Sequence, residues 1–185
     1  MTTVAFIGLG NMGSGMADNL VKNDYNVLAF DLSEAALAKA KEAGCTIAQS
    51  TEQAAAEADI VITMLPAGKH VKDIYSNQIL SSVCEGPLLI DCSTIDVETA
   101  KSVSELAEKK GLKMLDAPVS GGVAAAAGGT LTFMVGGDAD AFDKAHGVLS
   151  AMGKKIVHAG GHGAGQAAKI CNNMLLGATM IATCE

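Results

Sequence analysis

Apolar residues along the 185-residue chain fall into short, nearly continuous runs of strand length, separated by stretches in which apolar positions recur with helical spacing. The runs are VAFIG at 4–8, NVLAF at 26–30, CTIA at 45–48, DIVITML at 59–65, LLIDCS at 88–93, KMLDAP at 113–118, LTFMVGG at 131–137 and KIVHAG at 155–160. A strand that is apolar at almost every position is buried on both faces, as in a parallel sheet covered by helices above and below. The intervening stretches carry helix punctuation: Ser33 precedes EAALAKAKEAG, with Gly44 beyond it, and Thr94 to Asp96 precede VETAKSVSELAEKKG, with Gly111 beyond it. Polar side chains that cap the first turn and glycines that end the last one delimit helices in this way. The pattern predicts an α/β fold with a doubly wound, mostly parallel sheet, followed by a long apolar C-terminal helix from about Gly165. The stretch SGGVAAAAGG at 120–129 is built of small residues and reads as a soft loop whose backbone something approaches closely.

Composition narrows the classes. With 49% hydrophobic residues the chain can bury a real core, and its length predicts one domain, residues 1–163, plus a helical segment, 164–185. A net charge of −7 without a basic cluster argues against a nucleic-acid partner. The five cysteines, Cys45, Cys84, Cys92, Cys171 and Cys184, are scattered and show no CxxC spacing. Neither a disulfide framework nor a zinc knuckle follows from them, and a reducing cytoplasm is the expected compartment. Met1 leads almost directly into Val4–Ile7, so no targeting segment is expected. The last apolar segment, Ala164–Glu185, carries Lys169, Asn172 and Asn173, which a lipid-facing span tolerates poorly. A buried helix and no membrane partner are expected.

Gly8, Gly10 and Gly13 form GxGxxG directly after a predicted strand and at the opening of a predicted helix, and the next strand ends in Asp31. In this context the three glycines act differently. Gly8 makes the tight turn, Gly10 lets a pyrophosphate lie against bare backbone, and Gly13 lets helix and strand pack closely. Asn11 and Met12, between them, complete the phosphate-facing turn. Asp31 is placed to accept hydrogen bonds from the adenosine ribose, its charge repels a 2'-phosphate, and Leu32 and Ser33 offer no arginine to hold one. A Rossmann-type domain with NAD as cofactor is therefore expected.

Lys169 and Asn173 are four residues apart, so a helix projects both from one face toward a common substrate atom. Burial and a neighbouring cationic nicotinamide both lower a lysine pKa, which suits Lys169 to take a hydroxyl proton during oxidation and return it during reduction. Ser120, Gly121 and Gly122 offer a hydroxyl and unhindered N–H groups at a strand end, donors that suit a substrate carboxylate. His158 and His162 lie in HAGGHGAG, too rich in glycine for a helix to align them and without a carboxylate near in sequence, so no metal site is expected. The nine methionines read as core filler.

FIGLGNMGSGMADNL resembles the N-terminal signature of the β-hydroxyacid dehydrogenases, and MLPAGKHV at 64–71, DAPVSGG at 116–122 and GQAAKICNN at 165–173 extend that resemblance over essentially the whole chain. The resemblance implies that Leu65 and Pro66 line the cofactor, that Thr94 lies near the nicotinamide, that Ser120, Gly121 and Gly122 bind the substrate carboxylate, and that Lys169 and Asn173 are catalytic. MLPAGKHV, DCSTID and LDAPVSGG are most similar to the branch that oxidises 3-hydroxyisobutyrate to methylmalonate semialdehyde in valine catabolism. Asn172 departs from the 6-phosphogluconate dehydrogenases, which usually carry histidine before the matching asparagine. Tartronate or succinate semialdehyde reduction is the alternative within the family, and a non-catalytic NAD-binding module is the alternative outside it. The family also implies a homo-oligomer and an all-helical domain that packs around the last helix and closes the substrate cleft.

Overall fold

A computed structural model of the chain, which describes residues 1–83 and 86–185, alternates strands and helices almost without interruption. The first half runs β1 (Thr3–Ile7), α1 (Gly13–Lys22), β2 (Asn26–Phe30), α2 (Glu34–Glu42), β3 (Thr46–Ile47), α3 (Thr51–Ala56), β4 (Ile60–Thr63) and α4 (Gly68–Ile74). A π-helical stretch, Tyr75–Ile79, and a short turn α5 (Leu80–Ser82) extend α4. The second half runs β5 (Leu88–Asp91), α6 (Val97–Glu108), β6 (Met114–Asp116), β7 (Val119–Ser120), α7 (Gly122–Ala127), β8 (Leu131–Gly136), α8 (Ala139–Met152), β9 (Gly153–Gly160) and α9 (Ala164–Cys184). Cys84 lies outside the described residues.

The expected helix signals act as read. The Ser33 side chain accepts from Ala36 N–H and the Asp96 side chain from Thr99 N–H. Gly44 and Gly111 take φ values of +99° and +72° just beyond α2 and α6. These are left-handed conformations that glycine reaches without a Cβ penalty.

Strands β3, β2, β1, β4, β5 and β6 lie side by side in that order, all parallel. The chain first winds outward from β1 to β3, then restarts at β4 on the other side of β1, so the strand order reverses between β1 and β4. Alternate residues of β1 feed opposite faces: Val4 and Phe6 enter one core cluster with Met16, Leu20 and Leu149, whereas Ala5 and Ile7 enter another with Val61, Tyr75 and Leu89. Double-sided burial is what the near-continuous apolar runs require.

The far edge is not parallel throughout. Asp116 pairs with Gly136, Val119 with Phe133 and Ser120 with Thr132, so β6 and β7 lie end to end against an antiparallel β8 in one continuous register. Met134 N–H donates to Pro118 O between them, which keeps the register across a residue that has no donor of its own. β9 then pairs with β8 in parallel.

The stretch 120–129 is corrected by the structure. It contains a helix, α7, whose backbone is met by α1: a Cβ at Gly15 would stand 2.8 Å from Ala127 N and 2.9 Å from Ala126 C. Asn19 Nδ2 donates to Ala126 O and Ala127 O at 2.7 and 3.2 Å. The close approach read from the small residues is therefore at least in part another helix of the same chain.

Candidate functional site

In an open α/β sheet, the crevice beyond the carboxyl ends of the strands at the reversal of strand order is where ligands are held. Here that crevice is a cleft of about 570 Å³ lined by the turn after β1, the end of β2 and the β4–α4 loop. Gly8, Gly10, Asn11, Met12, Gly13, Asp31, Leu65 and Pro66 all face it. These are eight of the nine residues assigned to the cofactor from the sequence and its family resemblance; the ninth, Thr94, does not line the cleft.

The geometry explains the glycines. Gly8 has φ +97°, and a Cβ there would strike the Met64 carbonyl; a Cβ at Gly13 would strike the Gly8 carbonyl. Nothing lies within 4 Å of where a Cβ on Gly10 would stand, so the space above this residue is free for a ligand. α1 begins beyond Met12 with no side-chain cap and no acidic residue in its first turn. Among the described residues, the N–H groups of Asn11, Met12 and Gly13 have no carbonyl partner. An uncapped helix start with free donors and the positive end of the helix dipole attracts a phosphate. Asp31, half-buried at the end of β2, is held by Leu9 N–H at 2.6 Å and Ser33 N–H at 2.8 Å. These bonds fix its carboxylate at the rim, where its remaining lone pairs suit ribose hydroxyls. The residues present thus fit a dinucleotide. His70, Asp73 and Gln78, from α4 and its extension, also line the cleft. Sequence alone does not single them out, since their polar character at helical spacing reads as an ordinary solvated face.

Thr94, the remaining cofactor residue, and the residues expected to act on substrate lie on other elements. Thr94 is exposed in the β5–α6 loop, Ser120 ends β7, and Gly121 and Gly122 open α7 with φ +133° and +69°. Lys169 sits on α9, only 9% exposed, and makes no hydrogen bond or ion pair among the described residues. Burial alone lowers its pKa. Asn173, one turn further along, is exposed, and its Oδ1 accepts from Asn172 Nδ2 at 3.3 Å. None of these six lines the glycine cleft.

Beneath the strand ends lies a polar network that sequence reasoning missed. Asp91, closing β5, accepts from Thr63 Oγ1 at 2.7 Å and Ser93 Oγ at 2.6 Å through Oδ1, while its Oδ2 is buried without a partner. Burial pushes its pKa up from 3.8 to about 6. Ser93 Oγ in turn accepts from Leu65 N–H at 2.8 Å, tying the β4–α4 loop to the end of β5. On β6, Asp116 accepts from Gly163 N–H at 2.7 Å and Gln166 N–H at 2.9 Å, capping α9 from outside the helix. Burial also raises the Asp116 pKa. The available signal was an acidic residue at the end of an apolar strand, in LLID and KMLD.

His158 Nε2 lies 2.8 Å from Gly137 O, and His162 Nε2 lies 2.9 Å from Glu108 Oε1. The carboxylate near His162 comes from α6, far away in sequence. No group of three metal-ligating side chains occurs among the described residues.

A glycine turn, an open helix start and a ribose-side carboxylate at the switch point define a dinucleotide-binding α/β domain. Residues 3–161 match the family described as the NAD binding domain of 6-phosphogluconate dehydrogenase. The chain belongs to this β-hydroxyacid dehydrogenase family, and its cofactor is NAD. It is 54% identical, over its whole length, to a 3-hydroxyisobutyrate dehydrogenase of Pseudomonas aeruginosa, and 50% identical to an NAD-dependent L-serine dehydrogenase of the same organism. It spans 63% of the length of each. The solved structure of Mycobacterium tuberculosis 3-hydroxyisobutyrate dehydrogenase with L-serine superposes with a TM-score of 0.95 at 50% identity, covering 98% of this chain and 62% of that one.

Proposed function

We propose that the protein oxidises a small 3-hydroxy carboxylate with NAD, and that its substrate is 3-hydroxyisobutyrate, converted to methylmalonate semialdehyde in valine catabolism. Bound NAD supplies the hydride acceptor. Lys169 takes the hydroxyl proton at Nζ as hydride leaves the same carbon, Asn173 orients the hydroxyl oxygen, and Ser120 with the Gly121 and Gly122 N–H groups holds the carboxylate. The observation that carries this reading is Lys169, a lysine only 9% exposed, without a counter-ion among the described residues and with a lowered pKa. Partial desolvation of an unpaired lysine is unfavourable, and a module that only binds NAD has no use for it.

L-serine is the second reading, because a relative 50% identical is named an NAD-dependent L-serine dehydrogenase and the tuberculosis structure contains L-serine. Serine and 3-hydroxyisobutyrate share a carboxylate and a β-hydroxyl and differ at the α-carbon. Tartronate or succinate semialdehyde reduction is the remaining alternative in the family. NADH formation from racemic 3-hydroxyisobutyrate, L-serine and glycerate, beside reduction of the two semialdehydes, tests the assignment. A higher kcat/KM for 3-hydroxyisobutyrate with NAD is expected; preference for serine or for a semialdehyde overturns it.

In the same reading, residues 1–163 are the cofactor domain and 164–185 the first part of a helix shared with an all-helical partner domain. Support comes from the share of the relatives' length that the chain spans and from the apolar side chains that α9 leaves exposed, Met174 and Leu175 among them. Assembly into a homo-oligomer follows from that same face. The free thiols Cys45, Cys92, Cys171 and Cys184 fit a cytoplasmic setting.

A further inference from the structure

Gln166 is completely buried at the start of α9, and both ends of its amide are used on one loop. Nε2 donates to Ser93 O at 2.7 Å, and Oε1 accepts from Ile95 N–H at 3.1 Å. The two bonds grip the residues on either side of Thr94, which is itself exposed. Ser93 also carries the link to Leu65 N–H. The backbone N–H of Gln166 is separately held by Asp116 Oδ2 at 2.9 Å. Three residues further on, on the same helix face, stands Lys169. One side chain therefore joins the helix that bears the buried lysine to the loop that bears Thr94, and through Ser93 to the loop that bears Leu65 and Pro66.

We propose that Gln166 is a positioning residue: its amide clamps the Ser93–Ile95 segment to α9 so that Thr94 and Lys169 address the nicotinamide end of the cofactor in fixed register. This rests on the dehydrogenase reading above for the roles of Thr94 and Lys169. A helix of this length could pack against the loop through apolar contacts alone. An amide gives direction as well as contact, because a shift or rotation of the loop breaks both bonds at once, and a buried amide left unpaired is costly. The glycine turn and Asp31 stand on β1, α1 and β2, which Gln166 does not touch. Its direct hydrogen bonds thus lie away from the phosphate and ribose side of the cleft.

The test compares Gln166→Met and Gln166→Glu with the full wild-type chain. Methionine keeps the volume and removes both bonds; glutamate keeps the acceptor for Ile95 and removes the donor to Ser93 O. Neither disturbs the backbone N–H that Asp116 holds. Calorimetric titration with NAD and, separately, with ADP-ribose reads the two ends of the cofactor apart. Gln166→Met is expected to weaken NAD binding by ~10-fold, as loss of two buried hydrogen bonds implies, and to leave ADP-ribose binding within ~2-fold. Gln166→Glu, which sets a buried carboxylate against Ser93 O, is expected to weaken NAD binding at least as much. Equal weakening of both ligands shows a merely structural residue and overturns the proposal, as does no change in either. If wild type oxidises no 3-hydroxy acid, the substrate reading fails, while the comparison of NAD with ADP-ribose still decides the role of Gln166.

Discussion

Lys169 and Asp91 are two buried ionisable groups whose charged forms are both disfavoured by burial, with opposite consequences. For Lys169 burial lowers the pKa, so more of the amine is neutral and able to accept a proton at a given pH. Lys169→Ala is expected to lower kcat by ~100-fold or more, the usual contribution of a general base, with NAD affinity nearly unchanged because the cleft is lined by other residues. Steady-state kinetics beside NAD titration check this; parallel losses in both would remove Lys169 from the proton transfer. For Asp91 burial raises the pKa from 3.8 to about 6, so between those values the folded protein binds a proton that the unfolded chain has released. The stability this contributes is fully present below 3.8 and is lost as pH rises through about 6. The shift corresponds to on the order of 2–3 kcal/mol. Urea unfolding across this window should therefore show wild type losing stability relative to Asp91→Asn, which has nothing to titrate there. Matching pH profiles would show that Asp91 is already ionised in the fold.

Among the elements, what could be read in advance was what local chemistry decides. The glycine turn, the caps at Ser33 and Asp96, and strands apolar on both faces each declare themselves within a few residues. Asn19, Asp91, Asp116 and Gln166 did not, because each, beside any near partner, has one that lies 28 to 108 residues away in the chain; Asp91 to Thr63 is the shortest of these four spans and Asn19 to Ala127 the longest. The α7 stretch failed for a different reason: its glycines suggested a loop, while four consecutive alanines, the strongest helix formers, fill the six-residue helix they flank. Gly15 shows how tertiary packing then overrules propensity. In an isolated helix, Gly to Ala stabilises by ~1 kcal/mol. At Gly15 the added methyl meets backbone of α7 at 2.8 to 3.0 Å, and overpacking of that kind costs ~1–3 kcal/mol. Gly15→Ala is expected to destabilise the domain, and Gly177→Ala, in α9 with nothing within 4 Å of its Cβ, to stabilise it or leave it unchanged. Urea denaturation of the two variants checks the signs; stabilisation by Gly15→Ala would mean that α1 and α7 separate easily.

At the scale of the molecule, two ends of α9 live in different surroundings. Its first turns are built into the sheet edge: Gly165 leaves no room for a Cβ between Met134 O and Asp116 O, and Gln166 and Lys169 are buried. Further along, Ile170, Met174, Leu175, Leu176, Met180 and Ile181 are 43 to 70% exposed, a contiguous apolar surface of the kind that soluble proteins cover with a partner. No helix among the described residues is long and apolar enough to cross a membrane, so lipid spanned by this helix is not that partner. Asn173, proposed above to orient the substrate hydroxyl, lies within the uncovered stretch, and water reaches it freely. A proton transfer from a hydroxyl to Lys169 gains from a site closed to water. The 185-residue chain is therefore expected to bind NAD, to turn over 3-hydroxyisobutyrate poorly, and to self-associate through α9. Sedimentation and turnover measured on the same sample check all three, with Leu175→Glu, placed on the exposed face, expected to shift the chain toward monomer without altering NAD affinity. A monodisperse wild-type monomer with ordinary dehydrogenase turnover would show that the cleft needs no cover and that the apolar side chains of α9 do not drive association.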